Sequence, residues 1–211
     1  PAELPSRSPL KLNSYILVLK WCKDKSFFKI SKFFWNFVQN KNMIISLVGY
    51  MGSGKSHISK VLSQELNLKL IDLDQQISVK NKMTIVEIFE KRGEIYFRKQ
   101  EREILEEILA TQDHIILSVG GGTPAYYNNM EVINQYTESI FLRTSVKNLA
   151  ERLLKQKQKR PLIAKINDED LPEFIAKHLF ERNGYYSQAK YTIDTDGKEV
   201  EYIVKEIKAL F

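Results

Sequence analysis

Residues 43–56 read MIISLVGYMGSGKS: an apolar run, Met43–Val48, that passes directly into a glycine-rich loop. Gly49, four residues, and then Gly54-Lys55-Ser56 fit the pattern G-x-x-x-x-G-K-[ST] without a mismatch. Each position has a chemical reason. Glycines let the backbone curl until its N–H groups face an anion, and a helix starting near Gly54 adds the positive end of its dipole. Lys55 reaches phosphates in such a loop, and the Ser56 hydroxyl is a ligand for Mg²⁺. The apolar run is the buried strand that must precede the loop. The stretch therefore predicts a nucleoside triphosphate site at the junction of a strand and a helix.

Reading outward, strands and helices alternate. Ile58, Val61, Leu62 and Leu66 keep helical spacing after the loop, and Lys69–Asp72 (KLID) reads as a short strand. Thr84-Ile-Val-Glu87 has the spacing of a capping box and opens a short helix that ends near Gly93. A long helix runs from Glu94 to about Thr111. His114–Val119 is a buried strand that meets Gly120-Gly121-Gly122. Ser139–Leu142 is the next strand, and Ser145 caps a helix to about Lys155. Residues 156–169 lack periodicity and read as a mobile loop. Leu171–Ala189 is helical, Tyr191–Ile193 is a last strand and Val200–Leu210 a closing helix. Alternation with short connections predicts an α/β fold: a central parallel sheet between two helical layers. Ligands of such sheets bind beyond the carboxyl ends of the strands. The phosphate loop, Asp72 and Asp74, and Gly120–Gly122 each follow a strand, so they are expected at one rim.

Of 211 residues, 32 are Lys or Arg and 26 are Asp or Glu, for a net charge of +6. Residues 1–42 hold eight of the basic and two of the acidic residues, which leaves 24 of each in 43–211. The body is formally neutral, so a basic stripe tracking nucleic acid is not expected there. The one cysteine, Cys22, and both tryptophans, Trp21 and Trp35, also lie before residue 43. A body without cysteine needs neither disulfides nor a thiolate metal site, and a reducing cytosol is the natural compartment. Residues 1–42 start at Pro1 and interleave aromatics with lysines. They read as an extension, disordered or non-native; alternatives are a targeting peptide or a segment lying on a membrane surface. Tyr15–Leu19 is too short to span a bilayer. A start at Met43 would give a complete compact domain.

Whether such a protein hydrolyses or transfers depends on other residues. A guanine reader needs Asn-Lys-x-Asp, and Asn81-Lys82-Met83-Thr84 lacks the Asp. Motor and transporter ATPases end an apolar strand with an acid, whereas Ile115–Val119 ends in Gly120. A glycine run there lets another molecule approach the backbone. Asp72-Leu73-Asp74 ends the second strand, and alternation by two would put both carboxylates on one side. One could hold a metal through water while the other takes a hydroxyl proton. Arg98 stands near the start of the long helix, where the dipole disfavours a cation and a carboxylate ligand would compensate. Lys99 and Arg102 read as surface charges. Arg160 lies in the loop and is either solvated or a lid arginine; Arg182 is either a helix-surface residue or an anion site.

The ordered set GYMGSGKS, DLD, GEIYFRKQE, SVGGGTP, KRPL and ERNGYY resembles the shikimate kinase family over about residues 43–211. The resemblance implies a P-loop kinase with a lid, similar in fold to nucleoside monophosphate kinases. It also implies transfer of the ATP γ-phosphoryl group to the 3-hydroxyl of shikimate, in aromatic amino-acid biosynthesis, with Mg²⁺ as cofactor. Carried over by position, Gly52, Ser53, Gly54, Lys55, Ser56 and His57 bind ATP together with Arg160 of the lid. Ser56 and Asp72 serve the metal. Lys55 and Asp74 are catalytic, Asp74 being the candidate base. Asp74, Arg98, Glu101, Gly120, Gly121, Gly122 and Arg182 bind shikimate, the two arginines through its carboxylate. His57 stands where the family commonly has Thr and reads as a helix residue without catalytic duty. Arg152 is the candidate for an arginine near the adenine. The expected protein is a cytosolic monomer that engages neither nucleic acid nor, through its body, membrane. Two rivals stay open: a kinase for another polyol acid such as gluconate, and a nucleotide-binding protein without transferase activity.

Overall fold

The structure is a computed structural model that describes residues 43–157 and 161–211. The expectations for residues 1–42 and for Arg160 lie outside the described residues.

Among the described residues five parallel strands form one sheet in the order β2-β3-β1-β4-β5: β1 Ile44–Val48, β2 Lys69–Asp72, β3 Ile115–Ser118, β4 Glu138–Arg143 and β5 Tyr191–Asp194. The period of two along each strand sorts side chains into two cores. Ile44, Val48, Ile71, Ile115, Leu117 and Phe141 pack on one face, against helices α2 (Leu73–Asn81), α3 (Ile85–Thr111), α4 (Asn129–Tyr136), α5 (Val146–Leu154) and α7 (Leu171–Tyr186). Ile45, Leu47, Ile116, Ile140, Leu142 and Ile193 pack on the other, against α1 (Lys55–Leu66) and α8 (Val200–Lys208). This is the expected three-layer arrangement. β1 lies at the centre, and the chain leaves it toward β2 on one side and reaches β4 on the other, so the phosphate loop sits at the switch point of the sheet. Among the described residues no helix is long and apolar enough to cross a membrane.

Several expectations need correction. The second strand does not run through Asp74. It ends at Asp72, whose Oδ1 accepts the Gln75 amide at 3.1 Å and caps α2, so Asp74 lies in the first helical turn. Capping competes with strand extension here, and the cap wins because it satisfies one of the helix's unpaired donors. Helices α2 and α4 and a 3₁₀ turn at Thr123–Ala125 were absent from the periodicity reading. The segment read as a loop over 156–169 contains a short helix, α6 (Pro161–Ala164), and Ile163 is fully buried. Helix α7 ends at Tyr186 rather than Ala189.

The capping box at Thr84 and Glu87 is formed. Gly93, with φ 80° and ψ 170°, breaks α3 at the residue where the sequence predicts one helix to end and the next to begin. That conformation belongs almost solely to glycine.

Candidate active site

The phosphate loop is built as its sequence dictates. Gly54 occupies the left-handed region (φ 96°) and offers no capping side chain, so the amides opening α1 are left for another acceptor. The Lys55 ammonium is buried and donates to the carbonyls of Gly49 at 2.7 Å and Tyr50 at 3.0 Å. Ser56 and His57 are exposed on the first turn. The Ser53 hydroxyl is buried and, among the described residues, is the one buried side-chain polar atom without a hydrogen bond.

A cleft of about 600 Å³ opens over this loop. Its lining joins Gly52–Ile58 to Asp72, Asp74 and Ser118–Gly121, so three segments distant in sequence share one rim. Arg152 also lines it and donates to the Gly52 carbonyl at 3.3 Å. Ile58, Leu153, Val200 and Ile203 give the cleft an apolar side, with Thr195 and Lys198 beside it. Sequence reasoning missed the part contributed by residues 195–203, which reach the site through the pairing of β5 with β4 and the packing of α8 in the second core.

The glycine run has a steric reason beside the expected close approach of a ligand. None of Gly120–Gly122 has a positive φ. At each of them a neighbouring group stands close to where a side chain would begin. A Cβ on Gly120 would lie 2.9 Å from Asp74 Oδ1, one on Gly121 3.1 Å from the Met51 amide nitrogen, and one on Gly122 2.8 Å from Arg98 Nη2. The strip is thus wedged between the phosphate loop, Asp74 and Arg98. From behind, the Tyr186 hydroxyl donates to the Gly121 carbonyl at 2.5 Å, and the Tyr186 ring stacks on Phe141.

Arg98 meets two carboxylates. Its Nη1 donates to Glu101 Oε2 at 2.8 Å, and Glu101 Oε1 accepts from the Thr123 hydroxyl at 2.6 Å, so both oxygens of this buried acid are used. Its Nε and Nη2 both donate to Glu94 Oε1, each at 3.3 Å. The Tyr126 ring covers the guanidinium at 3.8 Å, and the Tyr126 hydroxyl donates to the same Glu94 oxygen at 2.6 Å. That hydrogen bond, opposed by burial and helped by Arg98, lowers the Glu94 pKa. Arg182, from α7, lies over the Tyr50 ring at 5.8 Å, and its charge acts on both Glu94 and Tyr186. Glu94, Tyr126, Thr123 and Tyr186 were not singled out from the sequence. For Glu94 the i,i+4 spacing to Arg98 was the available signal.

Burial, and then the nearby charges of Asp72 and Glu101, push the Asp74 carboxyl up to about 6, against the opposing pull of Lys55 and Arg98. An acid poised near neutrality beside a phosphate loop is suited to accept a proton from a hydroxyl.

The family model for shikimate kinase matches residues 51–210. The shikimate kinase of Flavobacterium psychrophilum is 47% identical over 169 residues, which is 79% of this chain and 98% of that protein. The crystal structure of shikimate kinase from Bacteroides thetaiotaomicron superposes with a TM-score of 0.75 at 35% identity, covering 80% of this chain and 97% of that one. Shikimate kinase from Acinetobacter baumannii, solved in complex with shikimate, gives 0.74 at 30% identity, covering 82% and 95%. The phosphate loop, the glycine strip and the arginine set stand in a chain that belongs to the shikimate kinase family.

Proposed function

We propose that the chain transfers the γ-phosphoryl group of ATP to the 3-hydroxyl of shikimate, and that the residues assembled at the rim of the sheet divide this work. One observation carries the reading. The three glycines of the strip 120–122 are pressed in turn against Asp74, against Met51 of the phosphate loop and against Arg98. A nucleotide tail and a small acid held by an arginine would therefore meet beside a single carboxylate.

The amides of Gly52–Ser56 and the Lys55 ammonium bind the phosphates, and Lys55 offsets the charge that builds on the transferred group. The apolar side of the cleft, Ile58, Leu153, Val200 and Ile203, accommodates the flat base. Arg98 and Arg182 hold the carboxylate of shikimate, for which a planar guanidinium fork is well shaped. Glu101 keeps Arg98 in place through a buried, fully satisfied network with Thr123. Asp74 takes the proton of the attacking hydroxyl, and its raised pKa matches that duty.

The donor set also fits Mg²⁺. Among the described residues no three His, Cys, Asp or Glu side chains cluster as a metal site. Mg²⁺, however, takes only one or two carboxylates and completes its shell with waters and phosphate oxygens. The Ser56 hydroxyl and the Asp72 oxygen not used by the α2 cap would hold it. When bound, the ion supplies neutralisation of charge on the phosphates. We also read the enzyme as cytosolic, on its cysteine-free body.

The test is release of ADP measured over a panel of acids that includes shikimate and gluconate, with and without Mg²⁺. Shikimate should be the preferred acceptor, with turnover requiring the metal. Preference for another acid would overturn the assignment.

A further inference from the structure

The two acids on Arg98 differ in kind. Glu101 is 1% exposed, lies 2.8 Å from Nη1 and has its other oxygen engaged by Thr123. Glu94 is 52% exposed and reaches Nε and Nη2 with one shared oxygen at 3.3 Å each. The first contact is short and enclosed. The second is long, shared and open to water, so it is the one that can yield.

What Glu94 occupies matters more than how strongly it binds. The Nε/Nη2 side of a guanidinium is an edge that grips a carboxylate with two parallel donors. One face of Arg98 is covered by Tyr126, and Gly122 leaves no room for a side chain beside the terminal nitrogens. The open edge is therefore where an incoming acid must arrive. The Tyr126 hydroxyl donates into the same spot, so three donors from two segments of chain converge on a single carboxylate oxygen. That convergence is an oxyanion site, and Glu94 fills it with a carboxylate of the enzyme's own.

We propose that Glu94 is an internal competitor for the substrate-carboxylate site. It holds the Nε/Nη2 edge of Arg98 and the Tyr126 hydroxyl, and the carboxylate of shikimate displaces it and takes over both. The inference rests on the reading that Arg98 binds that carboxylate. It makes Tyr126 a specificity-determining ligand and Glu94 a brake on affinity. A neutral acceptor gains nothing when the brake is removed, because it has no carboxylate with which to claim the vacated donors.

The test is steady-state kinetics of Glu94→Gln and Glu94→Ala with shikimate and with its methyl ester. Both variants should lower the KM for shikimate about three- to tenfold, with kcat and the KM for ATP moving less than about twofold. The methyl ester should show no such gain. In the Glu94→Gln background, adding Tyr126→Phe should raise the shikimate KM again, because the ring is kept and only the donor is lost. A shikimate KM that is unchanged or raised in both Glu94 variants overturns the proposal, as does an equal gain on the ester. Wild-type turnover measured alongside separates the two levels. An active wild type with an unmoved variant KM defeats only the competitor role, whereas a wild type inactive on shikimate defeats the functional reading beneath it.

Discussion

Asp74 stands where catalysis and stability pull in opposite directions. Its carboxyl has been taken from water and set near Asp72 and Glu101, which raises its pKa from 3.8 to about 6. The folded protein therefore binds this proton more tightly than the unfolded chain does. Below about pH 4 both states are protonated and the site costs no stability. As pH rises through about 6 the folded state must carry a charge that it disfavours, and stability is lost. Asp74→Asn should thus be inactive yet melt higher than wild type at pH 7–8, by a few degrees, since 1 kcal/mol corresponds to about 2–4 °C in a domain of this size. The difference should shrink toward pH 4. In the wild type, kcat/KM should fall about tenfold per unit below pH 6 if the carboxylate is the base. Thermal melts across pH and a pH–rate profile check both halves, and a variant that melts lower at neutral pH would contradict the burial argument. Arg98 gives a second prediction at this scale. Arg98→Lys keeps the charge but loses the fork, the contact to Glu101 and the stacking under Tyr126. The shikimate KM should rise about ten- to a hundredfold with the KM for ATP little changed. Equal loss of both would place Arg98 outside the acceptor site.

At the scale of elements, what could be read in advance depended on whether an element announces itself by period. β1, its loop and α1 do so, because the apolar run, the spacing of glycines, Lys55 and Ser56 in the loop and the stripe Ile58, Leu62 are all local. Helix α2 does not. Only Leu73 and Ile77 of its nine residues are buried, and a strand ending in two acids imitates a longer strand. The two acids were nonetheless correctly joined to the phosphate loop, since an N-cap and the residue two beyond it share the rim as well as alternating strand residues would. The reach of Tyr126 to Glu94 and Arg98 was illegible for another reason. It forms where α3 meets the 3₁₀ turn after β3, a meeting set by the whole sheet. The glycine strip sharpens this into a prediction. Gly122→Ala would push against the far end of the flexible Arg98 side chain, so the guanidinium must move while the fold is kept. The shikimate KM should rise about tenfold or more, with the melting temperature nearly unchanged. Gly93→Ala should do the reverse. Its Cβ meets nothing, but its backbone lies in a region that alanine avoids, so it should cost about 1–3 kcal/mol of stability. Melting curves and shikimate kinetics of the two variants, side by side, decide whether space or backbone conformation governs each glycine.

At the scale of the molecule, the question is how much of the chain the activity needs. Among the described residues the sheet and its two cores begin at Met43, and Phe211 is buried in the second core. The family model begins at residue 51, and a relative from Flavobacterium psychrophilum is matched over 98% of its length by 169 residues of this chain. The net charge of +6 belongs to residues 1–42, while the remainder is balanced, so the long-range field that the body presents to two anionic substrates does not require the arm. Removal of residues 1–42 should leave kcat and both KM values within about twofold of the full chain, and the melting temperature within a few degrees. The cut must fall before Met43, because that side chain is buried in the second core, which its loss would open. Starting the chain at residue 44 or later should therefore lower stability where starting at 43 does not. A loss of turnover already in the 43–211 protein, with its fold intact by melting, would show that the arm reaches the active site and would return residues 1–42 to the functional unit.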